Sequence, residues 1–325
     1  MEPNQETPLK TKVINHLSPL TETKMEPNQE TPLKTKVIYH AGCHDGFFAA
    51  WLFWLVDNTV LLHPASYGDE PPEVFKDEKV FIVDFSYPAP VLEEMRKKCH
   101  SLLVMDHHKN VSDECKKLPY FAFDNTKSGA AMAWDYLRAS IAYVYRHHYT
   151  LHDNIAKLVG YVEDRDLWNN RLENTKAINA AIRSYPMDLN VWFELASRLL
   201  MLTSLREDGE AILRYRKMLI DQHVRHAGEI TVAGHKVLGV YCSVDVTSEV
   251  GEALCSGDNA NRPFGVTWFD IPSKRSRVYS LRSRSDFNVG QLAKQFGGGG
   301  HDSAAGFTLR FTGGLAPFDA SVALE

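Results

Sequence analysis

Beyond Met25 the chain alternates short apolar runs with longer segments of helical character. Lys36 to His40 (KVIYH), Val80 to Asp84 (VFIVD) and Leu102 to Asp106 (LLVMD) are short, β-rich and show little polar alternation. A strand exposed on one face alternates apolar with polar residues, whereas a strand covered on both faces does not. These runs therefore predict buried strands of a parallel sheet. Each is followed by a loop and then helix-like sequence: Phe47 to Val56, Val91 to Lys98, and Ser128 to Tyr145, the last opened by Ser128 as its cap. That rhythm predicts an α/β, doubly wound N-terminal domain. Leu189 to about Arg225 reads as helical. The pieces EITVAG, KVLGVYC, FGVTWFD and RVYSLRS then read as strands, with a helix, VGQLAKQF, and a strand, GFTLRF, on either side of a glycine tract. The expected division is a leader over 1–35, a parallel-sheet domain over 36–200, a helical linker over 201–228 and a smaller mixed α/β domain over 229–325.

The leader contains a repeat. MEPNQETPLKTKVI runs from Met1 to Ile14 and recurs unchanged from Met25 to Ile38. Repeat units of a solenoid diverge, so this is read as a recent duplication, an alternative start at Met25 or an artificial join, and the first copy is left out of the fold. The leader has no arginine and no apolar stretch before a cleavage site, and no apolar run of about 18 residues occurs along the chain. No membrane span and a cytoplasmic location are expected. Composition adds bounds. With 325 residues, 44% hydrophobic and 24% charged, the chain can bury a sizeable core. Its net charge of −5 gives no global positive field for long duplex DNA. Five cysteines without a CxxC pair suit a reducing compartment, and Cys99, Cys115, Cys242 and Cys255 read as small buried fillers.

The chemistry lies in what ends the strands. In an open α/β sheet the residues just past the carboxyl ends share one crevice, where ligands bind. Here that edge would carry His40, Cys43, His44, Asp45, Asp84, Asp106, His107 and His108. Crowded carboxylates repel one another and are costly to desolvate, so the arrangement is reasonable once cations neutralise them. Oxygen and imidazole donors suit Mn²⁺ or Mg²⁺ better than a thiolate zinc site would. Neither a P-loop nor a GxGxxG turn follows a strand, so nucleotide-cofactor chemistry lacks its signature.

His40-Ala41-Gly42-Cys43-His44-Asp45-Gly46 with Ala49-Ala50, then Asp84, then Asp106-His107-His108, then Glu163-Asp164-Arg165-Asp166 resemble the four ordered motifs of the DHH phosphoesterase superfamily. Gly297 to Gly306 (GGGGHDSAAG) resembles the glycine-histidine signature of the DHH-associated C-terminal domain. The resemblance spans roughly residues 36 to 310. It implies a two-metal site in which Asp84 bridges both ions, with Asp45, His107 and Asp164 as terminal ligands. His108 would face the reacting phosphate, and Asp106 would orient its neighbours. Asp166 is the rival to Asp164. Many relatives carry a carboxylate where this chain has Cys43, a soft donor poorly matched to these metals, so His40 could serve the first ion instead. Two Mn²⁺ are implied, with Mg²⁺ or Co²⁺ as alternatives.

The implied activity is phosphoester hydrolysis by a two-metal activated water, with Asp84, Asp106 and His108 as the catalytic set. The two-domain form is similar to nano-RNases, exonucleases and dinucleotide phosphodiesterases, which points to short oligonucleotides or linear or cyclic dinucleotides. The alternatives are exopolyphosphatase or pyrophosphatase activity and a non-catalytic nucleotide binder. Substrate handling is expected from the second domain. Between Lys274 and Lys294 lie six basic residues against one acid, Asp286. Arg282 and Arg284 would share a strand face and grip phosphate. Gly298, Gly299, Gly300 and His301 would let backbone N–H groups approach an anion. Trp268, Phe287 and Phe296 are candidate stacking residues that read more simply as core. A monomer or a homodimer is expected.

Overall fold

The computed structural model describes residues 33–284 and 286–310. Most of the expected leader lies outside the described residues. The chain divides into two compact units, one ending at Ala133 and one starting at Trp134.

The first unit is a five-stranded sheet of β1 (Lys34–His40), β2 (Leu61–Ala65), β3 (Glu78–Val83), β4 (Ser101–Asp106) and β5 (Phe121–Phe123), in the order β2-β1-β3-β4-β5. Every pairing is parallel. Between the strands run α1 (His44–Val56), α2 (Ala89–Lys98) and α3 (Asp113–Lys116). Neighbouring residues of a strand point to opposite faces. On β3, Phe81 packs against Phe53 of α1, while Ile82 joins Leu92 and Met95 of α2 in one buried cluster. Both faces are therefore covered by helices, which explains why the strands carry no polar alternation. The sheet order turns back between β1 and β3, and that switch point is where a doubly wound sheet opens its crevice. The boundary between units falls inside α4 (Gly129–Val144), which is opened by Ser128, whose hydroxyl accepts from the Ala131 N–H at 3.2 Å.

The second unit continues with α5 (Tyr149–Asp166), α6 (Thr175–Ile182), α7 (Leu189–Ala196) and the long α8 (Met201–Arg225). A six-stranded mixed sheet follows: β6 (Gly228–Val232), β7 (His235–Tyr241), β8 (Gly265–Ile271), β9 (Ser276–Arg282), β10 (Gly299–His301) and β11 (Ala304–Arg310), ordered β10-β11-β9-β8-β7-β6. Only β7 and β8 pair in parallel. Helix α9 (Thr247–Ala253) lies between β7 and β8 in the chain, and α10 (Val289–Gln295) between β9 and β10. Val289, Leu292 and Ala293 of α10 share a core with Phe264, Val266, Tyr279 and Leu281. Cys99, Cys115, Cys242 and Cys255 are all buried, as small fillers should be. Among the described residues no helix is long and apolar enough to cross a membrane.

Candidate metal centre

Five of the expected residues meet at the carboxyl ends of β1, β3 and β4. His40 ends β1, Asp84 follows β3, and Asp106 ends β4 with His107 and His108 directly after it. Asp45 enters from the first turn of α1. The potential ligand atoms form two groups, His40–Asp84–His108 and Asp45–Asp84–His107, each with its atoms within 4.8 Å of one another. Asp84 belongs to both. Asp45, Asp84 and His107 are buried, and His40 and His108 are half-buried and open the site on one side.

Asp84 has a left-handed backbone with φ of 57°. That conformation is uncommon for a residue other than glycine, though Asp and Asn tolerate it, and strain of this kind collects at functional sites. Its side chain lies between two imidazoles: His107 Nε2 is 2.9 Å from Oδ1, and His40 Nδ1 is 3.6 Å from Oδ2. Burial pushes the Asp84 carboxyl up, but His107 and His40 outweigh it and hold the group below the usual carboxylate range. His107 Nε2 also lies 3.8 Å from Asp45 Oδ2. Asp45 accepts hydrogen bonds from the Gly129 N–H at 2.5 Å and the Ala130 N–H at 3.0 Å, at the start of α4. Its negative charge therefore meets the positive ends of two helices, α1 and α4.

Asp106 is fully buried, and its Oδ1 accepts from the His108 backbone N–H at 3.1 Å and lies 2.8 Å from His108 Nδ1. A carboxylate on one ring nitrogen fixes the orientation of the other. The bond to Asp106 raises the His108 pKa, with burial opposing it. A raised pKa adds stability that is fully present below the unfolded value of about 6.5 and is lost as pH rises through the folded value. In metal-free protein the denaturant midpoint should thus fall as pH rises from about 6.5 through the folded value. Asp106→Asn should flatten that part of the profile, and a slope unchanged in this variant would show that the pair contributes nothing.

The donors suit hard or borderline divalent cations. Asp84 Oδ2 and His40 Nδ1 are both buried without a hydrogen-bond partner, facing each other beyond hydrogen-bonding reach. Buried polar atoms left in this way are rare in proteins, and a cation between them would satisfy both. The thiol of Cys43 sits beside this pocket, with burial and then Asp84 pushing its pKa up, so it stays neutral and is a poor ligand for such ions.

Asp164 is not brought into either group. It lies on α5 in the second unit, where its carboxylate accepts from the Arg171 N–H at 2.9 Å, the Leu172 N–H at 3.1 Å and the Thr175 hydroxyl at 2.5 Å. Asp166 ends the same helix.

Arg282 ends β9, so Arg284 lies beyond the strand and the expected shared strand face does not form. The Arg282 guanidinium donates to the Ser248 hydroxyl at 2.7 Å, and Arg284 pairs with Glu252 at 2.6 Å. Arg277 is taken by Asp270 through two contacts, 2.6 and 2.9 Å, so much of the basic segment is already balanced. Gly299, Gly300 and His301 form β10, an edge strand paired through Gly299↔Gly306, Gly300↔Ala305 and His301↔Ala304. A Cβ on Gly298 would fall 2.2 Å from the Gly306 carbonyl oxygen, so the glycines first serve a close backbone crossing. Trp268, Phe287 and Phe296 pack against the second core.

Sequence reasoning missed two contributors. Tyr67, about half exposed, sets its ring edge-on to His40 at 5.4 Å and to His108 at 6.1 Å, but it follows an edge strand in a turn without a motif. Gly129 touches both acids, and a lone glycine after a capping serine carries no signal of its own.

No family model matches the chain. Over 302 residues it is 26% identical to the uncharacterized protein R106 of Acanthamoeba polyphaga mimivirus, covering 85% of this chain and 68% of that one. Among solved structures, a pGpG-specific phosphodiesterase from Vibrio cholerae is similar with a TM-score of 0.48 and 15% identity, over 86% of this chain and 94% of that chain. The exonuclease RecJ bound to manganese is similar with a TM-score of 0.47 and 15% identity, over 86% of this chain and 87% of that chain.

Proposed function

We propose that this protein is a divalent-metal-dependent phosphoesterase acting on short oligonucleotides or linear or cyclic dinucleotides. The observation that carries the reading is the single buried carboxylate of Asp84, shared by two groups of oxygen and imidazole donors. His40 and Asp84 would hold one cation, and Asp45, Asp84 and His107 a second, with Mn²⁺ the best match to the donors. Bound divalent cations lower the pKa of water and neutralise charge developing on a phosphoryl group, which is what hydrolysis of an anionic ester at neutral pH requires.

The chain's own residues do the rest. Asp45 is anchored by two backbone N–H groups, so its remaining lone pairs point where the fold fixes them. Asp106 holds His108 at Nδ1, leaving Nε2 to donate to a phosphoryl oxygen or to the leaving group. The nucleotide character of the substrate rests on the resemblance of Gly297 to Gly306 to the DHH-associated domain, with Arg282, Gly298, Gly299, Gly300 and His301 as the proposed phosphate contacts and Arg284 released from Glu252 to join them.

The test is incubation of the purified chain and Mn²⁺ with a dinucleotide, a cyclic dinucleotide, 3′-phosphoadenosine 5′-phosphate and polyphosphate. The expected result is mononucleotide released from a dinucleotide, abolished by EDTA and restored by Mn²⁺. Turnover of polyphosphate alone would move the assignment to an exopolyphosphatase. Dinucleotide binding without turnover would make the protein a nucleotide receptor.

A further inference from the structure

The turn after β2 brings an aromatic ring to the metal centre within the first unit. β2 ends at Ala65, which pairs with His40 at the end of β1, and the Ala65 carbonyl accepts from the Ala41 N–H at 2.8 Å. The next residues therefore emerge beside the carboxyl end of β1. Ser66, Tyr67, Gly68 and Asp69 close a tight turn there. The Asp69 N–H donates to the Ser66 carbonyl at 3.1 Å, and the Asp69 carboxylate accepts from the Ser66 N–H at 2.7 Å. Gly68 supplies a positive φ of 93°, which several tight turns need at their third position. Closed from both ends, the turn fixes where Tyr67 leaves the backbone.

Three rings hold the Tyr67 ring in place. Its centroid lies 5.0 Å from Phe85, 5.4 Å from His40 and 6.1 Å from His108. Phe85 is buried and stacks on His40, which gives the cluster a firm backing. His40 and His108 form the open side of the centre, and Tyr67, itself 49% exposed, stands at that opening. Phenylalanine would serve this packing equally well, so the hydroxyl calls for its own explanation. The groups whose charge is felt at the phenol are Asp106, Asp84 and Cys43, which follow burial in raising its pKa. All three stand at the carboxyl edge of the sheet, so the hydroxyl lies on the side of the candidate centre. Among the described residues it has no hydrogen-bond partner. An ester entering by the open side carries acceptor oxygens, and a phenol is a neutral donor at working pH.

We propose that Tyr67 is a further catalytic residue of this centre, its hydroxyl donating a hydrogen bond to a non-bridging phosphoryl oxygen of the bound ester. This rests on the phosphoesterase reading above and adds to it a second donor beside His108, carried by a turn outside the motifs. A donor fixed in advance by packing stabilises charge on a phosphoryl oxygen without having to reorganise.

The test compares Tyr67→Phe and Tyr67→Leu with the wild type, each as the full chain. Phenylalanine keeps the ring against Phe85, His40 and His108 and removes only the oxygen, whereas leucine removes both. Three quantities are read: Mn²⁺ affinity by calorimetry, kcat/KM for a dinucleotide with Mn²⁺, and the Kd of the Mn²⁺-loaded protein for inorganic phosphate. In Tyr67→Phe the Mn²⁺ affinity should be unchanged, with kcat/KM lowered and the phosphate Kd raised by about 10- to 100-fold, as for loss of a hydrogen bond to a charged group. Tyr67→Leu should do no better. If Tyr67→Phe matches the wild type and only Tyr67→Leu is impaired, the ring acts by packing and the proposal falls. If Tyr67→Phe loses Mn²⁺ affinity as steeply as turnover, the residue acts through His40 and the proposal also falls. Phosphate bound more tightly by the wild type than by Tyr67→Phe, with no phosphoester hydrolysed, would keep the phosphate contact and remove the hydrolase assignment. Hydrolysis with the same kcat/KM and the same phosphate Kd in every form would do the reverse. A wild-type chain that neither binds phosphate nor hydrolyses an ester would overturn both.

Discussion

Asp84→Asn removes metal-dependent turnover, with an expected loss of about 10³-fold or more, typical for a charged group that acts at the reacting centre. Asparagine matches the shape of aspartate and tolerates the left-handed backbone at φ of 57°, so the loop between β3 and α2 keeps its path. What disappears is the charge. Asp84 is the only residue common to both ligand groups, so its loss weakens both positions together, whereas Asp45→Asn or His40→Ala would weaken one. The variant should remain folded by circular dichroism, bind Mn²⁺ far more weakly by calorimetry and release little mononucleotide. Retention of both tight Mn²⁺ binding and full turnover would disprove the assignment.

The parts of this centre that could be read from sequence share one property: they end apolar runs. Lys36 to His40, Val80 to Asp84 and Leu102 to Asp106 are strands buried on both faces, so the residue that breaks each run falls at the carboxyl edge of the sheet. The observed strand order then brings those breaks together. Elements without that property went unseen. The edge strand β2 (LLHPA) is only partly buried and contains Pro64, which an edge strand accepts because its outer side needs no ladder bonds. The three-residue β5 is too short to have a pattern. Alternation along Arg277 to Arg284 says nothing about where pairing stops, and β9 stops at Arg282, which leaves Arg284 outside the strand.

Asp164 shows a different limit. A motif gives the residue types but not the donors that a loop will supply. The eight residues between α5 and α6 fold back so that two backbone N–H groups and the Thr175 hydroxyl reach the Asp164 carboxylate. Nothing in the local pattern of apolar positions marks that turn. Its signal lies in Asn170 and Asn174, both in left-handed conformations that asparagine favours.

Gly129→Ala provides a second large effect, and its sign separates a helix from a site. At the first position of an ordinary helix this change is favourable, because alanine has the higher helix propensity by about 1 kcal/mol. Here a Cβ on residue 129 would fall 2.5 Å from the Asp84 Cβ, 3.0 Å from the Asp84 Cα and 2.9 Å from Asp45 Oδ2. Contacts that short are not tolerated, and two of the three involve atoms that cannot rotate away. Asp84 would have to shift at its backbone, which is already left-handed, and Asp45 would be pushed from the N–H groups that anchor it. Overpacking of this kind costs about 1–3 kcal/mol, more than helix propensity returns, so the variant should be less stable than the parent by denaturant unfolding. A displacement near 1 Å at a reacting centre costs about 10²-fold in rate, so turnover with Mn²⁺ should fall by at least that much while the far-ultraviolet spectrum stays native. Gly129→Ala that is both more stable and fully active would mean that α4 does not press on the two acids, and the close packing that binds Asp45 to Asp84 would have to be abandoned.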